Sequence, residues 1–403
     1  MQATRQSGLK RLEDFIPRAG RTYTKSRNHD CGPDQRDNVS MLSPWIRYRL
    51  ITEQEVVAAV LEEHSASAAE KYIQEVCWRS YWKGWLELRP AVWQDYLDQL
   101  EIDQDKVASN TGLQAALDEA ESGRTGIDAF DFWAQELIET GYLHNHARMW
   151  FASIWIFTLK LPWTLGAHFF LRHLVDADPA SNTFGWRWVA GIQTKGKTYL
   201  ARPSNIEKFT NGRFRPTDLA SEAPALEWQE PPAPAPLDPL PSIGEFADAP
   251  ALLLIHPEDL NPESLIPERI TLKAALAIAS ISGAIDWPFG DKARDFVQSG
   301  VTDAAERVES SYGVSTESID QLDSDRVIAA CRRADAEIVV TAYAPVGPVA
   351  DALRDLEGDL READINLHRV RRDWDTLAWP NATKGFFPFK KKIPALLESV
   401  DLA

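Results

Sequence analysis

Two aspartates stand two residues apart in LVDADPASNTFGWRWVAG (Leu174–Gly191), with an asparagine four residues on and two tryptophans around an arginine. Acid, amide and indole this close suit one task above others. The carboxylates and the amide can hydrogen-bond the polar edge of a flat heterocycle, and the indoles can meet its face. Asp176 and Asp178 could also form a metal pair, but no histidine or further carboxylate stands at ligand spacing, so no metal is expected. A second cluster, YIQEVCWRSYWKGW, sets Glu75, Trp78, Trp82 and Trp85 at i, i+3, i+7 and i+10, on one helical face. As plain core this is an indole stripe. Glu75 fits that reading poorly, because a carboxylate on an apolar face needs a partner. A third stretch, TGYLHNHARMW, brings Asn145, Arg148 and Met149 to a common face, where Arg148 can balance a buried aspartate.

The elements that must position these residues are helices. From Thr52 to about Leu200 apolar residues recur at three and four, as in EQEVVAAVLEE, and no convincing strand interrupts them. Residues 1–42 read as irregular. Between Glu222 and Pro250 the prolines of EAPALEWQEPPAPAPLDPLPSIGEFADAP exclude a helix or a central strand and predict a semi-rigid linker. Beyond it ALLLIHP, AALAIAS and AEIVVTAYAP are short apolar runs of buried-strand type, alternating with helical stretches such as SDRVIAACRRAD and VADALRDLEGDL, and INLHRV is a further strand candidate. That alternation predicts a parallel sheet covered by helices, without a G-x-G-x-x-G or a P-loop to signal a dinucleotide or NTP site there. The expected fold is multidomain, α and α/β: an all-helical domain (1–221), a Pro-rich linker (222–249) and a Rossmann-like parallel α/β domain (250–403).

Composition narrows the classes. The net charge of −17 argues against a general nucleic-acid binder. Residues 1–50 and 151–220 are locally basic, however, so one phosphate-binding face is conceivable beside the blander reading of solvated surface. Twelve of the fifteen tryptophans lie before residue 231, which implies a thick helical core or a site that stacks on flat rings. There is no long apolar run and no signal-like start, so no membrane is expected. Cys31, Cys77 and Cys331 are too scattered for disulfides or a metal cluster and fit a reducing cytoplasm.

In their order, EVCWRSY, TGYLHNHARM and DADPASNTFGWRW resemble the FAD-binding helical domain of the photolyase/cryptochrome family, and SMLSPWIRYRLIT upstream resembles its phosphate-binding turn, with Arg49 in place of the family's glycine. The resemblance covers about residues 8–215. It implies FAD as cofactor, with Ser40, Leu42, Ser43 and Tyr23 at the pyrophosphate. Arg79, Arg148, Asp176 and Asp178, together with Asn145, would surround the isoalloxazine and ribityl groups, and Asn182 would sit beside flavin N5. It also implies a pocket for a flipped cyclobutane pyrimidine dimer, lined by Glu75, Trp78, Asn145, Met149 and Trp188; such a dimer pairs poorly and flips cheaply. Histidines typical of (6-4) photolyases are absent at Asn145 and Met149. Trp186 and Trp163 match the proximal and middle tryptophans of the family's electron relay. The distal place falls on Asn110, leaving Trp155 or Tyr142 as other donors. The segment TLAWPNATKGFFPFKKKIPALL resembles the end of the family's antenna domain, which implies a circular permutation with that domain moved to the C-terminus; no motif names an antenna pigment. The implied activity is light-driven repair of ultraviolet-damaged DNA by a monomeric lyase. The alternative is a cryptochrome-like blue-light photoreceptor with a signalling partner, which the acidic balance, the missing tryptophan and the moved domain favour. A flavoprotein without light function is a third reading, supported only by Arg49 and Asn110.

Overall fold

Ser65 accepts a hydrogen bond from the Ala68 amide and so starts the central element, a 22-residue helix over Ala66–Glu87 that is buried nearly all round. A computed structural model describes residues 2–267, 269–280 and 290–402. In it the long helix is α5, preceded by α1 (Arg5–Phe15), α2 (Arg21–Ser26), α3 (Ser43–Arg47) and α4 (Glu53–Glu63). After it come α6 (Ala91–Ala108), α7 (Thr111–Glu121), α8 (Asp128–Thr140), α9 (Asn145–Ser153), α10 (Trp163–His173), α11 (Pro179–Val189) and α12 (Pro203–Phe209). The N-terminal stretch is therefore less irregular than its composition implies. Thr4 and Ser7 cap each other's backbone in a capping box, and Leu12 and Phe15 are buried. Among the described residues no helix is long and apolar enough to cross a membrane.

The C-terminal part is a five-stranded parallel sheet, β1 (Ala251–Ile255), β2 (Leu272–Ser280), β3 (Thr316–Gln321), β4 (Ile338–Ala342) and β5 (Asn366–Val370), in the order β3-β2-β1-β4-β5. The helices between and after the strands are α13 (Asp291–Tyr312), α14 (Ser324–Ala334), α15 (Pro348–Glu362), α16 (Asp373–Ala378), α17 (Phe386–Lys390) and α18 (Ile393–Ser399). Successive side chains of β1 go to opposite faces. Leu252 and Leu254 join the core under α14 and α15, while Leu253 and Ile255 join the core shared with the helical part. The stretch 221–242 holds neither helix nor strand, yet it is strapped down: Leu226 N–H donates to Ala190 O, and Ala235 N–H to Leu88 O.

Helix α5 is wrapped because its two faces serve two parts of the molecule. Trp82 and Trp85 meet Phe184 of α11 at 5.2 and 4.8 Å. The other face, Ser80, Gly84 and Glu87, meets the C-terminal segment. Trp374 Nε1 donates to Ser80 Oγ (2.8 Å), and Tyr343 OH donates to Glu87 (2.7 Å). Gly84 has to be glycine, since a Cβ there would lie 2.7 Å from Trp379 Cα. Beside this seam two buried arginines cross between the parts. Arg47 forms a two-pronged pair with Glu258, and Arg49 pairs with Asp375 (2.7 and 2.8 Å) and approaches Asp259 (3.5 Å) and Glu53 (3.9 Å).

Burial pushes the Glu87 carboxyl up to about 7, against the pull of Tyr343 OH and the Val346 amide. The folded state thus holds this proton longer than the unfolded chain does. The stability the group contributes is present below its ordinary 4.5 and is lost as pH rises to about 7. Glu87→Gln keeps one acceptor for Val346 and can donate to Tyr343, so it is expected to escape that loss. Urea unfolding at pH 5 and pH 8 should show the variant gaining on the parent by on the order of 1–3 kcal/mol at the higher pH. An equal response of both proteins to pH would contradict this.

Candidate functional site

The site begins at the Ser40–Ser43 loop. Met41 takes a φ of +52°, the left-handed region, which folds the Leu42 amide back toward Ser40 Oγ (3.4 Å), and Arg11 Nε holds the Ser40 carbonyl (2.7 Å). The Ser43 hydroxyl is buried and has no partner among the described residues. A buried O–H without an acceptor beside a left-handed backbone turn has the donor chemistry that a phosphate oxygen uses. This loop forms one wall of a cavity of about 140 Å3. Tyr23 of α2 and Arg27 just past it form a second wall, Glu75 of α5 a third, and Tyr142, His144, Asn145 and His146 the fourth.

Inside, Arg27 ion-pairs with Glu75. Burial nevertheless pushes the Glu75 carboxyl above its ordinary value, Arg27 offsetting only part of that. His144 Nδ1 accepts from the His146 amide (3.2 Å), which leaves Nε2 to donate to the Arg27 carbonyl (2.9 Å). Burial holds His144 down to about 4, so it is neutral at pH 7 and fixes the backbone that carries Arg27.

Next to the cavity lies an acid–guanidinium network. The Arg148 guanidinium is 5.6 Å from the ring of Tyr142, a wall residue, and 3.4 Å from Asp176. Arg79 is 3.9 Å from Asp176 and pairs directly with Asp178. Asp178 also caps α11, accepting from the Ala180 (3.0 Å) and Ser181 (3.1 Å) amides. Burial alone would raise its carboxyl, but Arg79, Arg47, Lys83 and the Ser181 amide outweigh that and hold it down to about 2. Asn182 Nδ2 donates to Ala167 O (2.8 Å), which sets the amide and leaves Oδ1 as its acceptor. Ligand pockets run to roughly 300–1,000 Å3. The cavity therefore takes part of a dinucleotide, and the network residues occupy the neighbouring space with their pairs to one another. A free hydroxyl at the turn, guanidinium groups and buried carboxylates suit a phosphate-bearing, polar-edged cofactor.

The structure thus brings together Tyr23, Ser40, Leu42, Ser43, Glu75 and Asn145 in one cavity, and Arg79, Arg148, Asp176 and Asp178 in one network. Trp78 stands apart from the cavity's lining. One face of it is covered by Phe386, whose ring stacks on it at 3.6 Å and 11°. Trp188 packs on Tyr199 (5.5 Å), and Met149 is half-buried on α9. Arg27, His144 and His146 are cavity residues that the motifs did not single out. The spacing Tyr23-x-x-x-Arg27 on one helical turn is the signal that could have found Arg27.

The two matched relay tryptophans lie on adjoining helices. The Trp186 ring fills the notch at Gly166, where a Cβ would come within 2.3 Å of it, one turn along α10 from Trp163. Trp163 in turn meets Trp228 edge to face at 5.3 Å. Trp228 is half-buried and comes from the Pro-rich stretch. Asn110 is exposed and works as the cap of α7, accepting from Gly112 (3.1 Å) and Leu113 (3.0 Å) amides. Trp155 lies fully buried, 6.0 Å from Trp186.

Residues 72–213 match the family model described as the FAD binding domain of DNA photolyase. Among curated relatives, a deoxyribodipyrimidine photo-lyase of Vibrio cholerae is 28% identical over 216 residues, covering 50% of this chain and 44% of that protein. One of Streptomyces griseus is 34% identical over 159 residues, 39% of this chain and 33% of that protein. A crystal structure of a class III photolyase from Agrobacterium tumefaciens aligns with 27% identity and a TM-score of 0.41, over 52% of this chain and 43% of the other. The chain spans less than half the length of the curated relatives it matches.

Proposed function

On the premise that the chain belongs to the photolyase/cryptochrome family and carries its FAD-binding domain, we propose that it repairs cyclobutane pyrimidine dimers in DNA with light. The observation that carries the reading is the shared cavity, in which Glu75 and Asn145 face the Ser40–Ser43 loop. When bound, reduced FAD supplies the photoexcited electron that splits the cyclobutane ring, and the electron returns, so no net redox change results. The residues of this chain do the rest. The Ser43 hydroxyl donates to a phosphate. Asp178 balances Arg79 and anchors α11. Asn182 offers Oδ1 to an N–H donor while Ala167 keeps its amide oriented. Glu75 and Asn145 hydrogen-bond the polar edges of an extruded pyrimidine dimer, the carboxylate accepting and the amide both donating and accepting.

Dark binding tests this directly. An oligonucleotide with one thymine dimer should bind the parent protein more tightly than the same undamaged oligonucleotide, by about tenfold or more. Glu75→Ala and Asn145→Ala should each reduce that ratio by about 1 kcal/mol, roughly fivefold, as expected for the loss of one hydrogen bond. Equal binding of both oligonucleotides by the parent would remove the repair reading. One observation favours the second reading, a blue-light photoreceptor. Phe386 stacks on one face of Trp78, a ring the repair reading needs at the lesion.

The relay is expected to end at Trp228. Trp228→Phe should slow light-driven flavin reduction by at least tenfold with an external donor present, while chemically reduced protein keeps its activity. The Arg187 guanidinium, 5.6 Å from the Trp228 ring, disfavours positive charge there, so Arg187→Gln should speed the same step. Transient absorption reads both, and a Trp228→Phe protein that photoreduces at the parental rate would exclude this exit.

A further inference from the structure

We propose that the segment Lys384–Lys392 is a nucleic-acid contact. In it Phe387 stacks on an unpaired base, and Lys384, Lys391 and Lys392 meet phosphates. The inference rests on the repair reading for its choice of polyanion, and on independent observations for its place. Phe387 is 76% exposed, the most exposed large apolar side chain among the described residues. It is not a loose end. Phe386 and Phe389 on either side are buried, and Phe386 is stacked on Trp78. Tyr81 OH donates to the Lys384 carbonyl (2.9 Å), and Lys390 pairs with Glu70 (2.8 Å). The segment is thus clamped along α5 on the Glu70–Tyr81 stretch that also carries Glu75, and it holds one aromatic ring out to solvent.

The charge agrees. Residues 384–392 contain four lysines and no acid, in a protein of net charge −17. Lys384, Lys391 and Lys392 are exposed, and among the described residues only Lys390 is engaged by a carboxylate. A polyanion repelled by most of the surface would be drawn to this spot. A ring standing among ammonium groups is the pattern that single strands use, bases stacking on the ring while phosphates track the charge. A lipid surface would call for a continuous apolar face, and this segment offers one side chain.

The test is fluorescence anisotropy in the dark with a labelled, undamaged oligothymidylate, which needs neither a lesion nor light. Phe387→Ala is expected to weaken binding about tenfold, the effect of losing one base stack. Lys391→Ala/Lys392→Ala should lower the slope of log affinity against log salt by roughly 1.4. Ile102→Ala, at an exposed apolar residue elsewhere, should change nothing. Unchanged affinity in Phe387→Ala, or stronger binding to phosphatidylserine vesicles than to the oligonucleotide, would overturn the inference. A parent that binds through Phe387 yet repairs no dimer would uphold it and remove the repair reading alone.

Discussion

Replacing Arg49 by alanine is expected to lower the unfolding free energy by about 3–5 kcal/mol, the effect of removing one partner from a buried charge cluster. Arg49 is 2% exposed and stands among Asp375, Asp259 and Glu53, all buried. Burial would lower its pKa, but those three carboxylates overcome this and push it well above the ordinary value. Alanine leaves them with Arg372 on Asp259 and the more distant charge of buried Lys83 near Asp375 and Glu53. The backbone adds a second consideration. Arg49 has a φ of +53°, a conformation that suits glycine and costs other residues on the order of 1 kcal/mol or more. Arg49→Gly relieves that strain and should therefore be slightly less damaging than Arg49→Ala. Asp375→Asn in the Arg49→Ala background should restore part of the loss. Urea unfolding followed by tryptophan fluorescence checks the ranking, with protease cleavage in 222–249 reporting on whether the two parts have separated. A loss below 1 kcal/mol for Arg49→Ala would show that the cluster does not hold them together.

The second large effect is at Asp178. Asp178→Ala strips the cap from α11 and leaves Arg79 without its direct partner, with Arg47 and Lys83 also losing a nearby negative charge. Cap loss alone costs about 1 kcal/mol, and a buried charge left unpaired costs several more. Asp178→Asn keeps an oxygen for the Ala180 and Ser181 amides and loses only the charge. The expected outcome is that Asn at this position folds but holds flavin at least tenfold more weakly, and that Ala is both unstable and colourless on purification. The ratio of flavin to protein absorbance after gel filtration measures this. The sign of the pH effect follows from the depressed carboxyl. Its contribution is complete above the ordinary 3.8 and is lost as pH falls toward about 2, so acid release of flavin should begin below pH 4 in the parent and be missing as a distinct step in Asp178→Asn. Parental flavin content in Asp178→Asn would place the anchor elsewhere.

What could be read from the chain alone follows a physical pattern. The strands β1, β2 and β4 were legible because a parallel sheet buried on both faces writes itself as continuous apolar runs, and β5 showed only as the shorter INLHRV pattern, since it lies at an edge with Val370 alone buried. The edge strand β3 was not, for in Thr316–Gln321 only Ile319 is buried, and TESIDQ reads as polar loop. On α5 the indole face showed in the i, i+3, i+7 spacing. The opposite face, Ser80, Gly84 and Glu87, did not, because Trp374, Trp379 and Tyr343 that fill it lie some 250–300 residues away. Arg49 read as a lost glycine, while in the fold it is a gained ion pair whose partners belong to another part of the chain. Trp228 was hidden for a similar reason: a proline-rich stretch reads as tether, and only packing against Trp163 shows that it carries a ring to the core. The cavity residues were legible where a motif carried them. Phe386 over Trp78 was not, since no local pattern predicts which ring a distant segment will cover.

The measurement that bears most directly on the central claim is repair itself. Protein purified in the dark, with its flavin chemically reduced, would be mixed with an oligonucleotide holding one thymine cyclobutane dimer, illuminated with blue light and assayed for restored thymines. Chemical reduction bypasses the tryptophan relay, so the outcome does not depend on Trp228. Restored thymines in the parent, falling at least tenfold in Glu75→Ala, is the predicted result. A protein that holds reduced flavin, binds the oligonucleotide and restores no thymine would contradict it and leave photoreception as the use of this site.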